Sequence, residues 1–278
     1  RTLAGNLNPP GSTFKLVVAA AALDSGQYTA DSQFPNPPQL QLPQSDSVII
    51  NSGGDDCGGA PTVSISDAIR LSCNIPFAEL GQAIGTRAIL AQAMKFGFNS
   101  SVSVPLESTP SVYPRALDEP QTMLSAFGQS SVRASPLQMA MVSMAIANGG
   151  TLMKPNLVES ITAPNLTVLQ SLEPSVYGQA MSRETAAAIT QMMVGSVSNG
   201  AASNARIDGV DVAGKTGTAE NGEGDPYTLW FTGFAPANDP QVVVAVVVEN
   251  GAGLGQSSYG NAIAAPIAKK VLEAVLFR

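Results

Sequence analysis

At 278 residues, 44% hydrophobic and 13% charged, the chain is long enough to bury a substantial core, and its composition excludes a disordered protein. A net charge of −7 with no basic cluster makes nucleic acid and anionic lipid poor partners. There is no histidine, which excludes a serine–histidine–aspartate triad, an HExxH zinc site and any imidazole base; two cysteines cannot hold a structural zinc without further ligands.

Pro9, Pro10 and Gly11 end a loop, and an apolar run of small residues follows over 16–23, with Asp24, Ser25 and Gly26 beyond it. This predicts a helix that opens beside Gly11-Ser12-Thr13-Phe14-Lys15. Positions i and i+3 share a helix face, so Ser12 and Lys15 stand together near the first turn. A serine needs an adjacent base to become a nucleophile, and a desolvated lysine can be that base. A solvent-facing pair on an ordinary helix is the plainer alternative, and the spacing alone does not separate the two.

Residues 34–44 are rich in proline and glutamine, Val48 to Ile50 is a short apolar run, and 53–59 is a glycine–aspartate loop; all read as extended surface structure with turns. From Ser64 the apolar spacing turns helical, and it breaks at Ser72-Cys73-Asn74-Ile75-Pro76, where Pro76 biases Ile75 away from helix. Helices are expected over 77–84 and 87–96, then a loop-like stretch with four prolines over 99–120. A mostly apolar helix is expected over 136–148, ended by Gly149-Gly150, with methionine and alanine packing a core. Short strands are expected at 158–162 and 167–169, and a helix over 183–197 that starts after Ser182.

The last quarter changes character. Strand-like runs at 210–218, 228–234 and 241–249, separated by turn residues, predict an antiparallel meander, and an amphipathic helix over 263–277 closes the chain. No repeat of 20–50 residues is present. The apolar run from Val242 to Val248 is too short and too β-branched to span a bilayer, and no leader is visible in a chain that opens at Arg1. Helices dominate the first part and strands the last, so an α+β fold, or a helical insertion in an α/β layer, is expected.

Residues 209–216 match the P-loop pattern GxxxxGK[ST] letter for letter. That motif needs a strand before its first glycine and a helix opening at the lysine. Here two valines make the intervening residues strand-like, and Gly217 follows where a helix should begin. The same residues grouped as Lys215-Thr216-Gly217-Thr218 read as a strand, with Lys215 and Gly217 on one face and Thr216 and Thr218 on the other. A glycine there lets a ligand approach the backbone closely, and an edge strand so built could add an extended peptide and hold its carboxylate with hydroxyls.

Three elements now stand in order: Ser12-Thr13-Phe14-Lys15 (SxxK), Ser72-Cys73-Asn74 (SxN) and Lys215-Thr216-Gly217 (KTG). Together with residues 72–78, 135–150 and Trp230-Phe231-Thr232-Gly233-Phe234-Ala235-Pro236, they make the chain resemble the class B penicillin-binding proteins from about Leu3 to the last helix. The resemblance implies the penicillin-binding protein/serine β-lactamase-like transpeptidase fold, an antiparallel sheet flanked by helices plus a mostly helical subdomain, over the whole chain. It implies a D,D-transpeptidase of the extracytoplasmic membrane face that cross-links peptidoglycan stem peptides, is acylated by β-lactam antibiotics, works among cell-wall synthesis or division proteins, and needs no cofactor or metal.

By the same resemblance Ser12 is the nucleophile, Lys15 takes its proton, Ser72 relays a proton to the leaving amine and Lys215 tunes that network. Asn74 holds the substrate amide, Thr216, Gly217 and Thr218 the terminal carboxylate region, and the backbone N–H groups of Ser12 and Thr218 form the oxyanion hole. A free lysine has a pKa of about 10.4, so a neutral Lys15 requires burial or a second cation such as Lys215. A D,D-carboxypeptidase, a serine β-lactamase, a β-lactam sensor and a division scaffold are the alternatives.

In this family, strands that complete the central sheet precede the nucleophile helix, after a pedestal domain and a membrane anchor. Only eleven residues precede Ser12 here, which implies a truncated chain or a sheet with an exposed edge. Many relatives carry a second glycine where this chain has Ser130. Cys57 and Cys73 flank one short segment; outside the cell membrane a disulfide is permitted, and two buried thiols are the other arrangement.

Overall fold

The computed structural model describes residues 3, 5–52, 54, 56–102 and 104–278. The expected glycine–aspartate loop includes Gly53 and Asp55, which lie outside the described residues.

Gly11–Phe14 form a 3₁₀ turn that runs directly into α1 (Lys15–Asp24). Residues 15–22 are buried on every side of α1, which suits a helix apolar all round, and small valine and alanine side chains let α2, α3 and α6 pack close to it. Four short strands follow: β1 (Gln33–Pro35), β2 (Gln39–Gln41), β3 (Val48–Ile50) and β4 (Thr62–Ser64), paired antiparallel as β1–β4 and β2–β3. In α2 (Ile65–Leu71) the Ser64 hydroxyl caps the start by accepting from Asp67 N at 3.0 Å. α3 (Ile75–Lys95) contains a break at Gly85 (φ 77°, ψ 159°), so it is in effect the two helices expected there.

α4 (Glu119–Ser125) begins in the last two residues of the stretch expected to be loop-like; Asp118 caps it through Gln121 N, with a proline in its first turn. α5 (Pro136–Ala147) and α6 (Arg183–Asn199) match expectation, and each is capped by the serine before it. Between them lie β5 (Thr151–Met153), β6 (Ser160–Thr162), β7 (Val168–Ser171) and β8 (Val176–Gln179), paired as β5–β8 and β6–β7.

The meander of the last quarter is the central sheet: β9 (Ala213–Ala219), β10 (Thr228–Ala235) and β11 (Val242–Val248), in the order β11-β10-β9 and antiparallel throughout. β9 starts later than expected because Ile207 and Val210 form a tight bridged turn. α7 (Gly260–Leu276) packs across the sheet. The valine run of β11 is apolar on both faces because each face meets a core. Val243, Ala245 and Val247 join the larger core with α5, while Val242, Val244 and Val246 join the smaller one under α7. Trp230 and Phe231 divide in the same way on β10. Among the described residues β9 and β11 are the two edges.

The P-loop alternative is overturned. Lys215 and Thr216 lie inside β9, no helix opens after them, and the Lys215 side chain is fully buried.

Candidate active site

The Gly11–Lys15 turn is held by the sheet. Trp230 Nε1 on β10 donates to the carbonyl of Pro9 at 2.9 Å, and Thr13 Oγ1 donates to that of Pro10 at 2.7 Å. Gly11 (φ 52°) sits against the Thr218 carbonyl and donates its N–H to the carbonyl of Gly128. A Cβ on Gly217 would lie 2.8 Å from the Pro10 carbonyl oxygen and 3.2 Å from Thr13. The missing side chain therefore permits the close approach of the Gly11–Lys15 turn, in addition to the ligand approach expected at this glycine.

Ser72 ends α2 in the left-handed region (φ 68°, ψ 34°), a conformation more usual for glycine. That geometry splits its polar atoms between two lysines. Its carbonyl accepts from Lys15 Nζ at 2.7 Å, and its hydroxyl accepts from Lys215 Nζ at 2.7 Å. Lys15 Nζ also donates to Asn74 Oδ1 at 2.9 Å, and Lys215 Nζ to the Thr216 carbonyl at 3.0 Å.

Both lysines are fully buried, and neither forms an ion pair with a carboxylate among the described residues. Burial, and then the charge of Lys215, hold Lys15 well below the ordinary lysine range. Burial pushes Lys215 down to about 7. A neutral amine has two N–H donors and one lone pair. The Ser72 carbonyl and Asn74 Oδ1 take two N–H donors of Lys15, and Ser12 stands one turn before it at the start of the same helix.

Ser12, Ser72, Asn74, Thr216, Gly217 and Thr218 line one cavity of about 890 Å³, and Lys15 and Lys215 lie buried behind it. As the strand period requires, Lys215 faces α1 and the SxN turn, whereas Thr216 Oγ1 donates to the Ala201 carbonyl and Thr218 Oγ1 accepts from Gly260 N at 3.1 Å. The Thr218 hydroxyl hydrogen is therefore not used in the Gly260 bond, while that of Thr216 is engaged. Asn74 Nδ2 gives one hydrogen to the Ile50 carbonyl at 3.0 Å and keeps a second. Cys57 and Cys73 are joined by a disulfide with Cα atoms 5.7 Å apart, fastening the SxN turn to the preceding loop. Ser130 takes φ 60°, the glycine-like conformation, and Arg133 Nη1 donates to its carbonyl.

Sequence reasoning missed two buried asparagines. Asn51 Oδ1 accepts from the backbone N–H groups of Asn74 (2.8 Å) and Ile75 (3.1 Å), and Asn51 Nδ2 donates to Asn36 Oδ1 at 3.2 Å. Nothing local marks them, since their partners are more than ten residues away. Among the described residues there is no group of three or more side chains suited to a metal ion, and no helix is long and apolar enough to cross a membrane.

Sheet, flanking helices and lysine-backed serine all fall within one match: residues 4–273 fit the penicillin binding protein transpeptidase domain, and the chain belongs to that family. It is 40% identical over 272 residues to the peptidoglycan D,D-transpeptidase PbpA of Mycolicibacterium smegmatis and to that of Mycobacterium tuberculosis, covering 96% of this chain and 55% of each relative. It superposes on penicillin-binding protein A from M. tuberculosis with TM-scores of 0.94 for a ceftriaxone acyl-enzyme and 0.91 for a penicillin G acyl-enzyme. In both, identity is 38%, with 99% of this chain and 62% of the other covered. The expected fold is the one found. The chain spans about half the length of the curated relatives it matches.

Proposed function

We propose that this chain carries the acyl-transfer centre of a peptidoglycan D,D-transpeptidase acting outside the cell membrane. The observation that carries the reading is the Lys15 amine, fully buried, held below its ordinary pKa and spending its donors on Ser72 and Asn74. Ser12 Oγ attacks the carbonyl between two terminal D-alanines as Lys15 accepts its proton. The backbone N–H groups of Ser12 and Thr218 stabilise the oxyanion. Ser72, hydrogen-bonded to Lys215, passes a proton to the departing D-alanine amine. Asn74 Nδ2 holds the donor amide and Thr218 Oγ1 the terminal carboxylate, with Thr216 and Gly217 shaping that end. An amine of a second stem peptide then displaces Ser12 from the acyl group. A β-lactam enters the same cavity and leaves Ser12 acylated.

Hydrolytic turnover, as in a β-lactamase or carboxypeptidase, needs a base to activate water. Among the described residues the one acid lining the cavity is Glu220, beyond the end of β9, and Lys15 is the base nearest Ser12 in sequence, so the acceptor, amine or water, separates transfer from hydrolysis. Cross-linking of a lipid-linked precursor tests the reading. Dimeric stem peptides that vanish in Ser12→Ala support it, and acylation without cross-linked product would leave a sensor instead.

A further inference from the structure

Asn74 stands at the N-cap of α3, where an asparagine side chain ordinarily accepts a hydrogen bond from the first turn of its own helix. Here it makes no such bond. Its Oδ1 faces Lys15 and its Nδ2 faces Ile50. Two N–H groups at the start of α3 are met by another residue, since Asn51 Oδ1 accepts from both Asn74 N and Ile75 N. The next position is Pro76, which has no N–H to satisfy.

Asn51 is aimed by what lies behind it. Its Nδ2 is committed to Asn36 Oδ1, so its oxygen must face the helix. Asn36 is itself fully buried and fixed by bonds from its Nδ2 to the carbonyls of Cys57 and Ala60, both at 2.9 Å. The two amides link the disulfide loop to the SxN turn without touching either lysine.

We propose that Asn51, oriented by Asn36, caps α3 from outside the helix and so releases the Asn74 side chain for Lys15 and for substrate. Asn51 is a positioning residue on this account, and the account rests on the acylation chemistry proposed above. Without the external cap, the Asn74 side chain turns back toward the first turn of α3, and Lys15 loses one of its two acceptors. An acceptor stabilises the charged amine, so its loss also moves the acidic limb of the acylation–pH profile to lower pH.

The test is a double-mutant cycle on the second-order rate constant of acylation by a fluorescent penicillin, read with the pH profile and with melting curves to check folding. Asn51→Ala is expected to slow acylation by about tenfold or more and to shift the acidic limb in the same direction as Asn74→Ala. Added to Asn74→Ala, it should cost no more than about a further threefold, because its effect passes through the side chain already removed. Losses that multiply, or Asn51→Ala reacting at the wild-type rate, would overturn the proposal. Asn51→Asp keeps an acceptor for the two N–H groups but loses the donor that Asn36 Oδ1 receives, and is expected to react more slowly than wild type and faster than Asn51→Ala. Should Asn51→Ala not fold, Asn51→Asp reacting as slowly as Asn74→Ala overturns the proposal equally. Wild-type protein that no penicillin labels would instead contradict the functional reading.

Discussion

Lys215 Nζ donates to Ser72 Oγ at 2.7 Å, so a strand of the central sheet and a turn between two helices share one part-buried polar contact. Ser72 meets the other lysine through its carbonyl, and the left-handed backbone at this residue lets one serine serve both. Lys15 is held below the ordinary lysine range by burial and then by the positive charge of Lys215.

The buried Lys215 makes stability depend on pH in a defined direction. Its pKa is pushed down to about 7 in the folded protein, from an ordinary value of 10.5. Between those values the unfolded chain binds a proton that the folded protein does not, so stability rises with pH across the window. Below about 7 the full cost of burying the charge is present. Lys215→Met removes this cost, so its stability relative to wild type should fall by up to about 3 kcal/mol between about pH 6 and about pH 9.5. Urea unfolding at both pH values measures it; a pH-independent difference would contradict the burial argument.

The two threonines of β9 should differ. Thr218 Oγ1 accepts from Gly260 N and keeps its hydrogen for a carboxylate, whereas Thr216 donates to Ala201. Thr218→Val is expected to weaken the apparent affinity for a carboxylate-bearing β-lactam by about tenfold, with a smaller effect from Thr216→Val. Saturation kinetics of acylation for the two variants decide it, and equal losses would contradict the assignment.

Gly217→Ala tests the packing of the nucleophile turn. Its Cβ would lie 2.8 Å from a backbone oxygen of Pro10 and 3.1 Å from Trp230 Cβ, so the turn must move. Destabilisation of about 1–3 kcal/mol is expected, together with slower acylation even by a small β-lactam that does not fill the cavity. Calorimetry and labelling check both; loss with large substrates only would return the glycine to a role in ligand clearance.

Ser130→Gly should stabilise the protein. Ser130 holds φ 60°, where a non-glycine residue carries strain. Relief of about 0.5–1 kcal/mol is expected, net of the extra freedom glycine gains on unfolding. A melting temperature that falls would mean that the serine side chain contributes more than its backbone costs.

Much of the site was legible in the sequence, because SxxK, SxN and KTG are local patterns whose order survives in one dimension. The meander was legible for the same reason: strands of seven and eight residues carry enough β-branched and aromatic side chains to declare themselves. The three- and four-residue strands β1, β2, β5 and β8 were not, since so few residues show no period and they exist through their partners. The start of α4 is hidden in the sequence by its own proline, which reads as loop beside three others but stands in a first turn behind an aspartate cap. The Asn36–Asn51 pair could not be read at all, because its meaning lies in contacts with Cys57, Ala60, Asn74 and Ile75 that only the fold creates.

The central claim is that a neutral Lys15 takes the proton from Ser12, and Lys15→Arg tests it most directly because an arginine stays charged at any working pH. Intact-mass measurement of penicillin acylation over time gives the rate. General-base catalysis is worth about 10²–10⁴-fold, and a loss of that size in correctly folded Lys15→Arg is the predicted result. Acylation within about tenfold of wild type, on Ser12, would contradict the account.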